Sequence, residues 1–186
     1  MSDTLAPQPV SALKGARSEG FATVRDTGPR GMITLRGKGE TLARMAAAIG
    51  VALPDMLGVT TGEGVALAWM SPDELMVLCA YDAAPSLADR IAAATAGDHA
   101  LVAVVSDARS IFAVEGKLAR DVIAKVSPVE VGAVAEGQVR RTRFAQVAAA
   151  FWRVEGGFEV MCFRSQSPYV YGLLSNAARV GSELNL

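Results

Sequence analysis

The chain has 186 residues, 51% of them hydrophobic, and a formal net charge of −1; its mean hydropathy is +0.30. That length holds one large domain or two small fused units around a real core. The near-neutral charge offers no global field to a polyanion, and no apolar run reaches the roughly 18 residues a membrane-spanning helix needs. Nucleic acid and membrane are therefore not expected partners. The opening "MSDTLAPQPVSALKGARSEG" lacks the basic start and apolar stretch of a secretion signal, so a cytoplasmic location is expected.

Residues 1–29 are rich in Pro, Gly, Ser and Ala without periodicity and read as an arm, flexible or ordered by a partner. The folded part, 30–180, begins with a strand at "MITLR" and a turn at "GKG". Leu42, Met45, Ala46 and Ile49 then make the i, i+3, i+4, i+7 stripe of a helix, with Gly50 at its C-terminal cap. "GVALAWM" and "ELMVLC" read as a hairpin, and Pro85 and Ser86 open a helix carrying Leu87 and Ile91 that Gly97 ends. The order then repeats. "ALVAVVSD" and "RSIFAVEG" are strands, and Leu118, Val122 and Val126 mark a helix. "TRFAQVAAAFWRV" and "FEVMCFR" flank Gly156 and Gly157 as a second hairpin, and Val170, Leu173, Leu174 and Ala177 line the last helix. A short tail, 181–186, follows.

The two blocks, about 30–97 and 98–180, share one register at an offset of 83. It relates Trp69 to Trp152, Leu75 to Phe158, Val77 to Val160, Cys79 to Cys162, Pro85 to Pro168 and Ala94 to Ala177. "LAR" recurs at Leu42 and Leu118 with an offset of 76. The pattern predicts an internally duplicated α+β fold of strand-helix-hairpin-helix units, with two small mixed or antiparallel sheets, or one split sheet, and helices against one face. Each tryptophan is expected to anchor one half-core, and the two cysteines to be separate buried thiols.

Chemistry is harder to find. His99 is the only histidine and reads as an exposed turn residue. "GKGETL", Gly37–Leu42, opens a helix after a strand but has leucine where a dinucleotide fingerprint needs its third glycine, so it reads as a turn and helix cap. Asp107 and Arg109 could pair at a strand break, while Asp73 and Glu74 fall in a hairpin turn. Cys79 and Cys162 lack a shared cationic neighbour pattern, Arg164 lying beyond Cys162 alone. "RRTR", Arg140–Arg143, reads as a solvated or interface edge strand without aromatics to stack on bases. The residues therefore assign no catalytic, cofactor-binding or metal-binding group, and the apolar excess points to surface covered by another protein.

Four longer stretches say more. "ALAWMSPDELMVLC", "VVSDARSIFAVEGKLARDVIAKVSPVEV", "VRRTRFAQVAAAFWRV" and "FEVMCFRSQSPYVYGLL", in this order, resemble the gamma subunit of heterotetrameric sarcosine oxidase over about residues 30–180. The resemblance implies an accessory subunit of a complex that oxidatively demethylates sarcosine to glycine, forms hydrogen peroxide and passes a one-carbon unit to tetrahydrofolate. It implies direct contact with the alpha subunit, with beta and delta in the same assembly. FAD, FMN and NAD are implied for alpha and beta and zinc for delta, with none on this chain. The implied fold is similar to the folate-binding domain of aminomethyltransferases, which itself has two related halves. Neither the K-G-C-[YF]-x-G-Q-E motif of folate-dependent iron-sulfur assembly relatives nor the aminomethyltransferase aspartate can be placed on this chain. A stand-alone folate-binding one-carbon protein and a small-molecule-sensing domain are the competing expectations.

Overall fold

The computed structural model describes residues 8–186. Eleven strands and four helices of these residues form two antiparallel sheets. β1 (Arg17–Ser18), β2 (Thr23–Asp26) and β3 (Gly31–Arg36) lead into α1 (Gly39–Ala48), followed by β4 (Val59–Gly62), β5 (Val65–Ser71), β6 (Glu74–Cys79) and α2 (Ala84–Ala94). β7 (Leu101–Val104), β8 (Arg109–Glu115), α3 (Ala119–Val126), β9 (Val139–Phe144), β10 (Val147–Val154), β11 (Gly157–Phe163) and α4 (Ser167–Ala177) complete the order. One sheet runs β4-β5-β6-β3-β7 and the other β1-β2-β8-β11-β10-β9.

Three apolar layers hold the molecule together. Leu42, Met45 and Ala46 of α1 and Ile91 of α2 pack on Ile33, Leu35, Leu75 and Val77 of the first sheet. Val122 and Val126 of α3 and Val170 and Leu174 of α4 pack on Val24, Phe112, Val114 and Val160 of the second. Between the sheets lies a helix-free layer that joins Met32, Met76 and Leu78 to Ile111, Trp152 and Met161. The architecture is thus helices, sheet, sheet, helices, and the central strands β3, β6 and β8 are apolar on both faces because both faces are covered.

The duplication is visible in the hydrogen-bond ladders. Ile33 opposes Val77 and Val104, while Phe112 opposes Val160 and Asp26. β3 thus corresponds to β8, β6 to β11, and β7 to β2. The first strand of each unit has crossed to the other unit's sheet: β2 pairs with β8, and β7 with β3. The boundary expected near residue 97 therefore separates two chain segments without separating two sheets. Each half lends the other a strand: β7 forms an edge of the first sheet, and β2, itself flanked by β1, extends the second.

Three expectations change. Residues 8–29, expected as an arm, are largely built into the domain. Val24 is fully buried and Ala22 nearly so. The Asp26 carboxylate accepts from the backbone N–H groups of Leu13, Gly15 and Gly28. Phe21 N–H donates to the Ala178 carbonyl, and Gly20 lies so close to that carbonyl that a Cβ would sit 1.9 Å from its oxygen. Local composition hid this because the pairing partners lie roughly 90 to 150 residues away. The remainder of the arm, residues 1–7, lies outside the described residues.

The tryptophans are not equivalent. Before the first hairpin turn, Ala68 opposes Met76 and Trp69 opposes Leu75; in the second hairpin, Trp152 opposes Glu159 and Arg153 opposes Phe158. Trp152 thus corresponds to Ala68. A bulge at Met70, between Trp69 and Ser71, inserts one residue into β5 and shifts the offset from 83 to 84. A one-residue shift exchanges the faces of a strand. Trp69 accordingly packs under the helices, whereas Trp152 lies between the sheets. The "LAR" match is also one residue out: the buried stripe Leu42, Met45, Ala46, Ile49 maps onto Ala119, Val122, Ile123, Val126, an offset of 77.

Candidate functional site

The residues singled out for chemistry are dispersed. His99 is exposed between α2 and β7, beside a shallow groove that Arg36, Lys38 and Asp73 also line. Asp73 accepts from Ser71 and, at 2.7 Å, from Arg36, and these two contacts hold its carboxyl below the ordinary range. Glu74 turns the other way, toward Arg141 at 3.4 Å. Asp107 and Arg109 do not pair. Asp107 accepts the Tyr81 hydroxyl at 2.9 Å, and Arg109 stacks its guanidinium on the Phe163 ring, 4.8 Å from the centroid. In "GKGETL", Lys38 is the N-cap residue of α1 and makes no side-chain cap, which leaves a turn and a helix start.

β9 is an edge strand, as its sequence predicts. Arg141 and Arg143 face solvent, while Arg140 bonds to Gln138 and the Val139 carbonyl. Cys79 and Cys162 are free and buried in different helix-facing layers. Burial pushes the Cys162 thiol up to about 11, outweighing its hydrogen bond with Ser167, and it raises Cys79 as well. Thiols of that acidity are not nucleophiles at neutral pH. No group of three or more His, Cys, Asp or Glu among the described residues is placed to hold a metal ion.

Two larger concavities remain among the described residues. The larger, about 640 Å³, lies where α3 begins beside the tip of the β10–β11 hairpin, and Lys117, Arg120, Glu136, Arg153 and Phe158 contribute to it. The other, about 410 Å³, opens at the seam between the sheets and is walled by Val59, Leu78, Trp152 and Val154. Glu159 stands in this seam with a side chain only 15% exposed. One of its carboxylate oxygens accepts from Arg30 at 3.1 Å and the other from Trp152 Nε1 at 3.0 Å. The buried charge is thereby neutralised and both oxygens are used by the protein itself. A carboxylate so committed orients Trp152 and ties the segment before β3 to β11. Neither Arg30 nor Glu159 stood out in the sequence. The readable signal was the spacing of Trp152 and Glu159 across a two-residue hairpin turn.

The outer surface carries a different feature. Leu101 and Val104 are both 47% exposed on β7, which has a neighbour on one side only. Leu53 and Met56 project from the loop after α1, and Phe163 and Tyr169 from the region around the start of α4. No helix among the described residues is long and apolar enough to cross a membrane.

No family model matches the chain. Three curated proteins do, each described as sarcosine oxidase subunit gamma. The proteins of Arthrobacter sp. and Corynebacterium sp. (strain U-96) are 32% identical over 115 residues, and that of Corynebacterium sp. (strain P-1) is 31% identical over the same length. The matched segment is 60% of this chain and 55–56% of each relative, so the chain spans about half the length of the curated relatives it matches. Among solved structures, the fold matches a chain of the heterotetrameric sarcosine oxidase from Corynebacterium sp. U-96, in complex with pyrrole 2-carboxylate. That match has a TM-score of 0.79 and 25% identity and covers 87% of both chains. The glycine cleavage system aminomethyltransferase T of Bartonella henselae matches at a TM-score of 0.66 and 15% identity, over 88% of this chain and 48% of that one; this likeness is one of fold. The resemblance read from the sequence is thus found in both sequence and fold.

Proposed function

We propose that the chain is a non-catalytic accessory subunit of a heterotetrameric sarcosine oxidase, the complex that demethylates sarcosine to glycine with formation of hydrogen peroxide. The observation that carries this reading is the fold match over 87% of both chains to a component of such a complex, in step with the gamma-subunit sequences. The chemistry of the described residues supports it. The buried carboxylate in the seam is already neutralised, and the two thiols are held protonated. On this reading the alpha subunit is the direct partner and beta and delta share the assembly. FAD, FMN, NAD and zinc are held by those chains, and the complex is cytoplasmic. Exposed apolar side chains such as Leu101, Val104 and Phe163 are the surface available for burial against a neighbour.

Co-expression with candidate alpha, beta and delta chains, followed by size-exclusion chromatography, tests the proposal. Co-elution of all four chains is the expected result; a monodisperse monomer eluting apart from the other three would overturn it. Calorimetry with tetrahydrofolate separates the competing folate-binding reading, for which the isolated chain would show micromolar affinity.

A further inference from the structure

Among the described residues, Arg109 is the one charged side chain with a buried polar atom that finds no hydrogen-bond partner. Arg109, at the start of β8, lies at one end of the layer between the sheets, over Phe163 and beside Met70 and Met161. Its Nε is buried and meets no acceptor. The ion pairs among the described residues leave its guanidinium out. Burial disfavours the charged form of this group, with Glu74 acting in the opposite direction. A cationic fork held in place by an aromatic ring, with a buried donor unmatched, is an unusual thing to leave in a fold.

Arg109 faces a cavity of about 70 Å³ that Glu74, Arg141 and Thr142 also line. This is room for a few waters or for one small anion. Arg141 reaches Glu74 only through a single contact of 3.4 Å, so its guanidinium is not saturated either. Two arginines and one glutamate leave a surplus of one positive charge. A monoanion balances that surplus; a dianion would overcompensate it beside Glu74. Guanidinium forks suit planar two-oxygen groups, which they bind by paired N–H donors.

We infer that this cavity is a carboxylate-binding site, in which Arg109 and Arg141 clamp a single carboxylate group. The inference rests on the side chains of this chain alone and does not depend on the subunit reading. The carboxylate has two possible sources, a free small acid or an acidic side chain of a neighbouring protein, and the test distinguishes them.

The full chain is titrated with ¹³C-labelled acetate at constant ionic strength, set with chloride, and binding is followed by line broadening. Saturable binding in the millimolar range is expected. It should be lost in Arg109→Gln, weakened about tenfold in Arg141→Gln and unchanged in Arg143→Gln, since Arg143 is exposed on the same strand and does not line the cavity. Should Arg109→Gln fail to fold, Arg109→Lys keeps the charge without the fork and is expected to bind at least tenfold more weakly. Binding that does not saturate, or that keeps its unaltered affinity in whichever of these two variants folds, overturns the inference. Repeating the titration with the co-expressed assembly separates the sources. Acetate binding that persists there indicates a free acid, and acetate that is excluded indicates a partner's side chain.

Discussion

At Cys162 a single buried thiol makes stability depend on pH. The thiol is raised from an ordinary 9.0 to about 11 by burial, so the folded chain keeps a proton that the unfolded chain gives up above pH 9. The stabilisation is fully present below the unfolded value and is lost as pH rises toward the folded one. The total is on the order of 2–3 kcal/mol between about pH 9 and pH 11. Chemical denaturation across that window should show stability falling with pH, and Cys162→Ala should flatten the slope. The two tryptophans offer a second comparison. Trp152 is 6% exposed between the sheets and donates to Glu159. Truncation to alanine there should cost about 3–5 kcal/mol and leave Glu159 with one partner fewer. Trp69 is only half-buried, and Trp69→Ala should cost less than half as much in the same assay. Equal costs would contradict their placement on opposite faces. Sequence made the pair look alike because residue spacing counts Met70, whereas the ladder bulges around it.

Among the elements, those with strong local periodicity could be read directly. α1 and α4 follow their apolar stripes, and β3, β5, β6 and β8 are apolar runs bounded by turn residues. The elements missed are those whose reason to exist is distant. β4 is a four-residue strand of half-exposed and exposed residues held against β5. β9 is legible as an edge strand but its end is not, because the turn to β10, at Ala145 and Gln146, has no glycine or proline, although Ala145 adopts φ 50°. β2 is ordered chiefly by its pairing with β8 and by Asp26. The candidate seam was illegible for the same reason: Arg30 and Glu159 meet across 129 residues. Asp26 tests the reading of the N-terminal segment. Asp26, 7% exposed, accepts three backbone N–H groups at its carboxylate, and Asp26→Ala would leave those of Leu13 and Gly28 without a protein partner and that of Gly15 with Ser11 Oγ alone. A loss of about 3 kcal/mol is expected, with protease cleavage appearing first between residues 10 and 28. Cleavage there in the unaltered chain at a comparable rate would contradict an integrated segment.

For the molecule as a whole, the exchange of first strands makes folding a joint property of both halves. A chain cut after Gly97 would leave β2 in the N-terminal piece without β8, and β7 in the C-terminal piece without β3. Each sheet would then present a bare edge, and each would also lose the apolar layer between the sheets, uncovering Met32, Met76 and Leu78 on one side and Ile111, Trp152 and Met161 on the other. At roughly 25 cal/mol per Å² of apolar surface, two uncovered sheet faces outweigh the few kcal/mol by which a domain of this size is stable. Neither piece should therefore fold cooperatively by itself, although each retains its own helix-facing core. Mixed together, they should recover the native circular dichroism spectrum, and the intact chain should melt in one transition with calorimetric and van't Hoff enthalpies in agreement. Two separate transitions in the intact chain, or a cooperative melt of either piece alone near the intact temperature, would mean that the halves are independent domains. The same coupling bears on assembly. A partner that grips the β7 edge holds a strand contributed by one half to the sheet of the other, and so braces the pair as one body.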